Sequence, residues 1–226
     1  MRMRLPLMAV LAVCAVRCAG SEPVPADMVG RVQEGIPLED EMPVAGVTLR
    51  LIEANGIQMR IAEAGQVGPM VLNVNGDPKR FSSYRLPIIK DVLSGFHGPL
   101  AGILTGLDWA KKNAPDVDYI ATFATDSPFF PSTLVDFLYK TIKEGHVLAC
   151  AKSNGRHHPV FGLWPVDQCL ALQDALVVEN IRKIDIWTSR YKMGTVDFPT
   201  DQIDPFFNVN TPEDLAQARD FLNQLK

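Results

Sequence analysis

No stretch of this 226-residue chain is a basic run, and its net charge is −4, so nucleic acid and anionic membranes are poor partners. Cysteine is scarce. Cys14, Cys18, Cys150 and Cys169 contain no C-x-x-C pair, which leaves zinc ligation and a disulfide framework unsupported. Cys150, in an apolar run, and Cys169, beside helical residues, read as buried thiols. No nucleophile elbow of the G-x-S-x-G or Asp-bearing kind is present, so hydrolase chemistry lacks its centre. The apolar run Leu5–Val16 is too short to span a membrane, and no internal repeat is visible. What remains is a chain that is 47% hydrophobic and long enough for one sizeable core.

The N-terminus is of a different kind from the rest. Met1-Arg-Met-Arg4 is basic, Leu5–Val16 is apolar and Cys18-Ala-Gly20 is small, the pattern of a secretory signal peptide over residues 1–20. Ser21–Pro43 is rich in Pro, Glu, Asp and Gly and reads as a linker. Two alternating runs, beginning at Val47 and Gln58, flank Asn55-Gly56, the strongest short signal for a β-hairpin. Residues 21–69 are therefore expected to form a linker and hairpin arm, and 70–226 the main domain.

From Met70 onward strands and helices alternate. Met70–Val74, Ile88-Ile89, Tyr119–Ala124, Val147–Ala151, Val160–Trp164 and Gly194–Phe198 read as strands. Pro99–Ala110, Ser132–Glu144 and Val166–Val178 read as helices. Thr211-Pro-Glu-Asp opens the last helix, with Thr as N-cap and acids near the positive helix end. The alternation predicts an α/β fold, a parallel or mixed sheet with helices on both faces.

In such sheets ligands sit at the carboxyl ends of the strands. The apolar strand Tyr119–Ala124 runs into Thr125-Asp126-Ser127-Pro128, so one carboxylate, Asp126, stands at a strand end. It is placed to hold Mg²⁺ against a nucleotide phosphate, or else to cap the turn before the next helix. Asn73-Val-Asn75, Lys90-Asp91 and Asn208-Val-Asn210 fall at further strand ends. In Phe96-His-Gly-Pro-Leu-Ala-Gly102, Gly98 allows close backbone approach and Pro99 pre-sets a helix whose N-terminus favours phosphate. Each residue alone also has a structural reading: a turn residue for Asn73, satisfaction of backbone groups before the Thr211 cap for Asn208 and Asn210, and helix packing for Gly102 and Gly106.

Asn73-Val-Asn75, Asp91, Gly98–Gly102, Thr125–Pro128, His158-Pro159 and Phe207-Asn-Val-Asn-Thr-Pro-Glu-Asp214 occur in that order. From about Met70 to the C-terminus the series resembles the molybdenum cofactor guanylyltransferases of the nucleotidyltransferase superfamily. The resemblance implies a three-layer, Rossmann-like α/β sandwich with a mainly parallel sheet. It also implies GMP transfer from GTP to the molybdenum–molybdopterin cofactor, in the cytoplasm. By the same resemblance Asp126 would hold Mg²⁺ and serve catalysis, and Asn73 and Asp91 would contact guanosine. Gly98 would shape the nucleotide loop, and His158, Asn208 and Asn210 would face the pterin. His158, before a proline, has a structural reading as well.

The family begins with a strand and a Gly-rich loop, Leu-Ala-Gly-Gly followed by Arg-Met-Gly and a Lys, that cradles the triphosphate. Nothing here matches it; Ala64-Gly-Gln-Val-Gly68 lacks the paired glycines and the Lys. Residues 42–72 instead resemble the N-terminal hairpin of epoxide-hydrolase-type α/β-hydrolases. Two other readings therefore stand beside the enzyme: a non-catalytic nucleotide- or pterin-binding remnant, and an exported hydrolase-like fusion.

Overall fold

The computed structural model describes residues 10–16, 47–54, 57–64, 67–84, 86–95, 98–201 and 203–224. The linker expected over 21–43, the expected cleavage point after Gly20 and the Asn55-Gly56 turn signal lie outside them. Nine strands are formed among the described residues: β1 (Val10–Val16), β2 (Val47–Ala54), β3 (Ile57–Ala64), β4 (Val67–Val74), β5 (Ile88–Ile89), β6 (Tyr119–Ala124), β7 (Leu148–Ser153), β8 (Arg156–Pro165) and β9 (Met193–Phe198). The helices are α1 (Pro99–Asn113), α2 (Leu134–Lys143), α3 (Cys169–Val177), α4 (Ile184–Thr188) and α5 (Pro212–Gln224). The short helix α4 and a 3₁₀ segment at Pro78–Tyr84 carry no periodic signal in the sequence and were not expected.

Seven strands form one sheet in the order β5-β4-β1-β6-β8-β7-β9, while β2 and β3 pair with each other as a separate antiparallel ribbon. The expected hairpin register is thus present, with Ala54 opposite Ile57. The large sheet departs from the expected mainly parallel arrangement. Four of its six ladders are antiparallel, namely β1–β4, β1–β6, β6–β8 and β7–β8; only β4–β5 and β7–β9 are parallel. Following the ladders, β5, β4, β6, β7 and β9 point one way, and the reversed strands β1 and β8 are interleaved among them.

One of the two reversals has a local cause. β7 and β8 are joined by a two-residue turn, with Ser153 paired to Arg156. Both turn residues have positive φ, 44° at Asn154 and 75° at Gly155. That is the type I′ geometry for which Asn-Gly is the preferred dipeptide, because Asn tolerates the left-handed region and Gly has no Cβ. A hairpin can only be antiparallel. β1 comes from the signal-peptide-like segment, whose Val10–Val16 backbone takes the mid-sheet position between β4 and β6. A fully buried strand and a signal-peptide core are both short unbroken apolar runs, so periodicity does not separate them.

Helices cover both faces, giving the expected three layers. Neighbouring strand residues alternate between the two cores. Val71, Ile120 and Leu148 pack with α1, α3 and Trp187, whereas Leu72, Ala121 and Ala149 pack with α2, Phe161, Phe198 and Phe206. A sheet buried on both sides needs apolar residues at consecutive positions, which is why these strands read as continuous runs. Cys150 and Cys169 are buried free thiols, as expected, and burial pushes the Cys150 thiol up to about 12. The last helix has the cap read from its sequence: the Asp214 N–H donates to Thr211 Oγ1 at 3.1 Å and the Asp214 carboxylate accepts from Thr211 N at 2.9 Å.

β8 bulges as it passes β7. Cys150 pairs with Gly162 but Ala151 pairs with His158, so Pro159–Phe161 are extra on the β8 side. Thr122 pins the bulge: its hydroxyl donates to the Val160 carbonyl at 2.6 Å and accepts from Trp164 Nε1 at 3.0 Å. At Gly162 a Cβ would stand 2.7 Å from the Pro159 carbonyl oxygen and 2.9 Å from Trp164 Nε1. Backbone, rather than a flexible side-chain end, would have to give. Gly162→Ala is therefore expected to destabilise the fold by about 1–3 kcal/mol, read as a lower urea midpoint at unchanged slope. An unchanged midpoint would show that the bulge relaxes freely.

Candidate functional site

The C-terminal ends of β4, β5, β6 and β7 lie on one rim of the sheet, and so does the β7–β8 turn. Asn73 is level with Leu11 of β1, and Leu11 is level with Ala124 of β6. Asn73 and Ala124 are therefore about two strand spacings apart, roughly 10 Å, with Asp126 two residues beyond Ala124.

At the β4–β5 end three polar residues hold one another. Asn73, 2% exposed, donates from Nδ2 to Asp91 Oδ1 at 2.9 Å and to the Ile89 carbonyl at 3.4 Å. Asn75 donates to Asp91 Oδ2 at 2.8 Å, and the Asp91 N–H returns a bond to Asn75 Oδ1 at 3.2 Å. Both Asp91 oxygens thus accept an amide N–H, and the carboxylate is fixed before any ligand arrives. Next along the chain, the Val92 N–H donates to Thr105 Oγ1 at 3.0 Å, tying this loop to α1. Gly98 caps α1 with φ 67° and ψ −159°, a conformation that L side chains rarely adopt. It carries no side chain to obstruct the first free N–H groups of the helix.

Asp126 follows β6. Its carbonyl accepts the Val209 N–H at 2.7 Å, which draws the C-terminal segment across the rim. The neighbouring Ser127, fully buried, donates its hydroxyl to Asn208 Oδ1. The Asp126 side chain is another matter. Its Oδ1 is buried and has no hydrogen-bond partner among the described residues. Burial raises the carboxyl above the ordinary range, and a bond from its own backbone N–H offsets only part of this. An uncompensated buried carboxylate oxygen is costly, and a hard cation or a proton are the groups that would satisfy it. Among the described residues no three of His, Cys, Asp and Glu gather into a metal cluster, so a cation there would draw its other ligands from substrate and water.

His158 sits near the start of β8. Its Nε2 is 2.8 Å from Ser153 Oγ, and the Ser153 hydroxyl also donates to Asp204 Oδ1 at 2.8 Å. The ring stacks on Phe206, with centroids 4.6 Å apart and planes 29° from parallel. Burial holds the imidazole below its ordinary pKa against the pull of Asp204, with Arg156 and His157 adding to the depression. His157 itself is exposed.

The predicted residues thus fall into groups. Asn73 is bonded to Asp91, Asp126 and Asn208 are joined through Val209 and Ser127, and His158 reaches the same C-terminal segment through Ser153 and Asp204. Asn210 is exposed, and its N–H donates to Asp214 Oδ2 at 2.9 Å, as part of the α5 cap. Sequence reasoning missed Ser153 and Asp204. Asn154-Gly155 is a hairpin signal of the same kind as Asn55-Gly56, and reading it would have put Ser153 opposite Arg156, on the same face of the hairpin as His158 and diagonal to it.

Comparison with known proteins agrees with this architecture. The MobA-like NTP transferase domain family matches residues 54–189. A molybdenum cofactor guanylyltransferase of Bradyrhizobium sp. (strain ORS 278) is 50% identical over 156 residues, 69% of this chain and 74% of that protein. Its counterpart in Rhodopseudomonas palustris (strain BisB5) is 43% identical over 173 residues, 75% of this chain and 82% of the relative. Among solved structures, molybdopterin-guanine dinucleotide biosynthesis protein A of Archaeoglobus fulgidus superposes with a TM-score of 0.53 at 24% identity, covering 68% of this chain and 78% of that one, which speaks for the fold. The rim of strand ends, the motif series along it and these matches place the chain in the molybdenum cofactor guanylyltransferase family, within the MobA-like NTP transferases.

Proposed function

We propose that this chain transfers GMP from GTP to the molybdenum–molybdopterin cofactor. The terminal phosphate of the acceptor attacks the α-phosphate of GTP, and pyrophosphate leaves. Such a reaction asks the protein mainly for positioning and for neutralisation of charge. The observation that carries the reading is the buried Oδ1 of Asp126 at a strand end on the rim, without a hydrogen-bond partner among the described residues. Asp126 would hold Mg²⁺, which when bound neutralises phosphate charge. Asn73 and Asp91 would contact guanosine with a carboxylate already oriented by two amides. Gly98 would let the phosphates approach the N-terminus of α1. His158, Asn208 and Asn210 would face the pterin. The cytoplasm is where such an enzyme would work, and among the described residues no helix is long and apolar enough to cross a membrane.

Calorimetry with GTP and Mg²⁺ tests the role of Asp126. Wild type is expected to bind GTP more tightly with Mg²⁺ than without, and Asp126→Ala is expected to lose that difference. Equal affinities in the two proteins would reduce Asp126 to a turn residue.

Stability gives a second reading of the same side chain. Because the folded-state pKa of Asp126 is raised, the native state holds its proton more tightly than the unfolded chain does. The group's favourable contribution is present at low pH and is lost as pH rises through that raised value. Without ligand, Asp126→Asn should therefore be more stable than wild type at neutral pH, and the difference should shrink on acidification. Urea titrations from pH 4 to 8 would show it, and a difference that grows toward acid pH would contradict the burial argument.

A non-catalytic nucleotide- or pterin-binding remnant is favoured by one feature, the missing Gly-rich loop. Losing one preorganised donor to a developing oxyanion costs on the order of 10²–10³ in rate, and this chain lacks several. Its GMP transfer is expected to be very slow. Grafting a family-type strand and loop in place of residues 1–69 should restore it, since the strand would enter the mid-sheet position that β1 occupies. Turnover of about 1 s⁻¹ or more by the unmodified chain would show that another segment holds the triphosphate.

A further inference from the structure

Ser153 Oγ lies 2.8 Å from two side-chain atoms, Asp204 Oδ1 and His158 Nε2. A hydroxyl has one proton to give, and an ionised carboxylate can only accept. The serine proton is therefore committed to Asp204. The second contact is a hydrogen bond only if His158 Nε2 carries a proton and donates it to Ser153 Oγ. The chain of donors runs one way, from His158 to Ser153 to Asp204.

The other members leave this direction no freedom. Asp204 Oδ1 also accepts the Phe206 N–H at 3.0 Å, so the carboxylate is held on the turn that follows it. Ser153 is fully buried, out of reach of bulk solvent. Phe206, 4% exposed, stacks on the imidazole and is itself wedged between Phe161 and Phe198, at centroid distances of 4.8 and 5.5 Å. Ring plane and ring edge are both fixed. No described residue hydrogen-bonds His158 Nδ1. With Nε2 protonated and the ring neutral, Nδ1 holds a lone pair.

We propose that Asp204 and Ser153 are positioning residues that lock His158 in the Nε2–H tautomer, so that Nδ1 serves as a hydrogen-bond acceptor for an N–H group of the acceptor pterin. The choice of substrate rests on the guanylyl-transfer reading; the tautomer rests on this geometry alone. A neutral acceptor suits a heterocycle with ring N–H groups, whereas a phosphate would call for a donor. The charged and titratable groups facing His158 are Asp204, Arg156 and His157, and burial outweighs the attraction of Asp204, in keeping with a neutral ring.

¹⁵N-resolved NMR of the histidine side chains in the full chain, at a pH of about 8 where the ring is neutral, reads the tautomer directly. His158 is expected to show a protonated Nε2 and a bare Nδ1. In Asp204→Ala the Ser153 hydroxyl is released to donate to Nε2, so a substantial Nδ1–H population should appear. Asp204→Asn keeps an acceptor oxygen and should keep the wild-type tautomer, which separates this effect from general loss of fold. Wild-type His158 protonated at Nδ1, or a tautomer unmoved in Asp204→Ala, would overturn the relay. Calorimetry with molybdopterin tests the substrate: Asp204→Ala should weaken its binding about three- to tenfold, the worth of one hydrogen bond, and leave GTP affinity unchanged. Unchanged molybdopterin affinity alongside a shifted tautomer would overturn the assignment to the pterin. Absence of both ligands' binding in wild type would instead count against guanylyl transfer.

Discussion

One short backbone bond organises the site: the Val209 N–H to the Asp126 carbonyl, 2.7 Å. It draws the chain between β9 and α5 across the strand ends. Once that crossing is made, Asn208 meets Ser127, Phe206 enters the aromatic cluster and Asp204 reaches Ser153. The residues at the rim come from segments far apart in sequence, and they are held in one geometry because this loop is fastened at both ends. At its far end Thr211 and Asp214 cap α5, which fixes where the loop must stop.

The rim shows two kinds of polar order. The Asn73–Asp91–Asn75 group is closed on itself, with donors and acceptors matched within the protein. Such a group resists motion and offers a ligand a fixed surface. Asp126 is open, with a buried oxygen left unmatched among the described residues. Natural proteins keep few buried polar atoms without partners, and those that remain call for an explanation. The proposed function would supply one: the closed group would position the nucleotide, and the open oxygen would take the cation.

Much of this was legible in the residues. β6 spans Tyr119–Ala124 as its apolar run indicates, and α1 begins at Pro99 after a glycine with positive φ. The α5 cap follows from Thr-Pro-Glu-Asp. These features are local, written in neighbouring residues whose chemistry acts over one turn or one strand. The direction of the sheet was not legible, because it depends on a second Asn-Gly turn and on an apolar segment whose composition fits two fates. Asp204 was beyond reach for another reason. Its partner Ser153 lies 51 residues away, and no periodicity spans that distance. The bulge at Pro159–Phe161 likewise depends on Thr122, 38 residues from the carbonyl it holds.

The place of β1 has a consequence for cooperativity. In the strand order β5-β4-β1-β6-β8-β7-β9, the ladders among the described residues join β4 to β6 only through Val10–Val16. The sheet is two smaller sheets, of two and four strands, with one seven-residue strand as the seam, and α1 lies across both on one face. Parting that seam separates Asn73 and Asp91 from Asp126 and His158 while leaving each half its own ladders. Within the sheet, the geometry between the two halves of the rim therefore rests on the pairing of that single strand, and outside it on the packing of α1 across both.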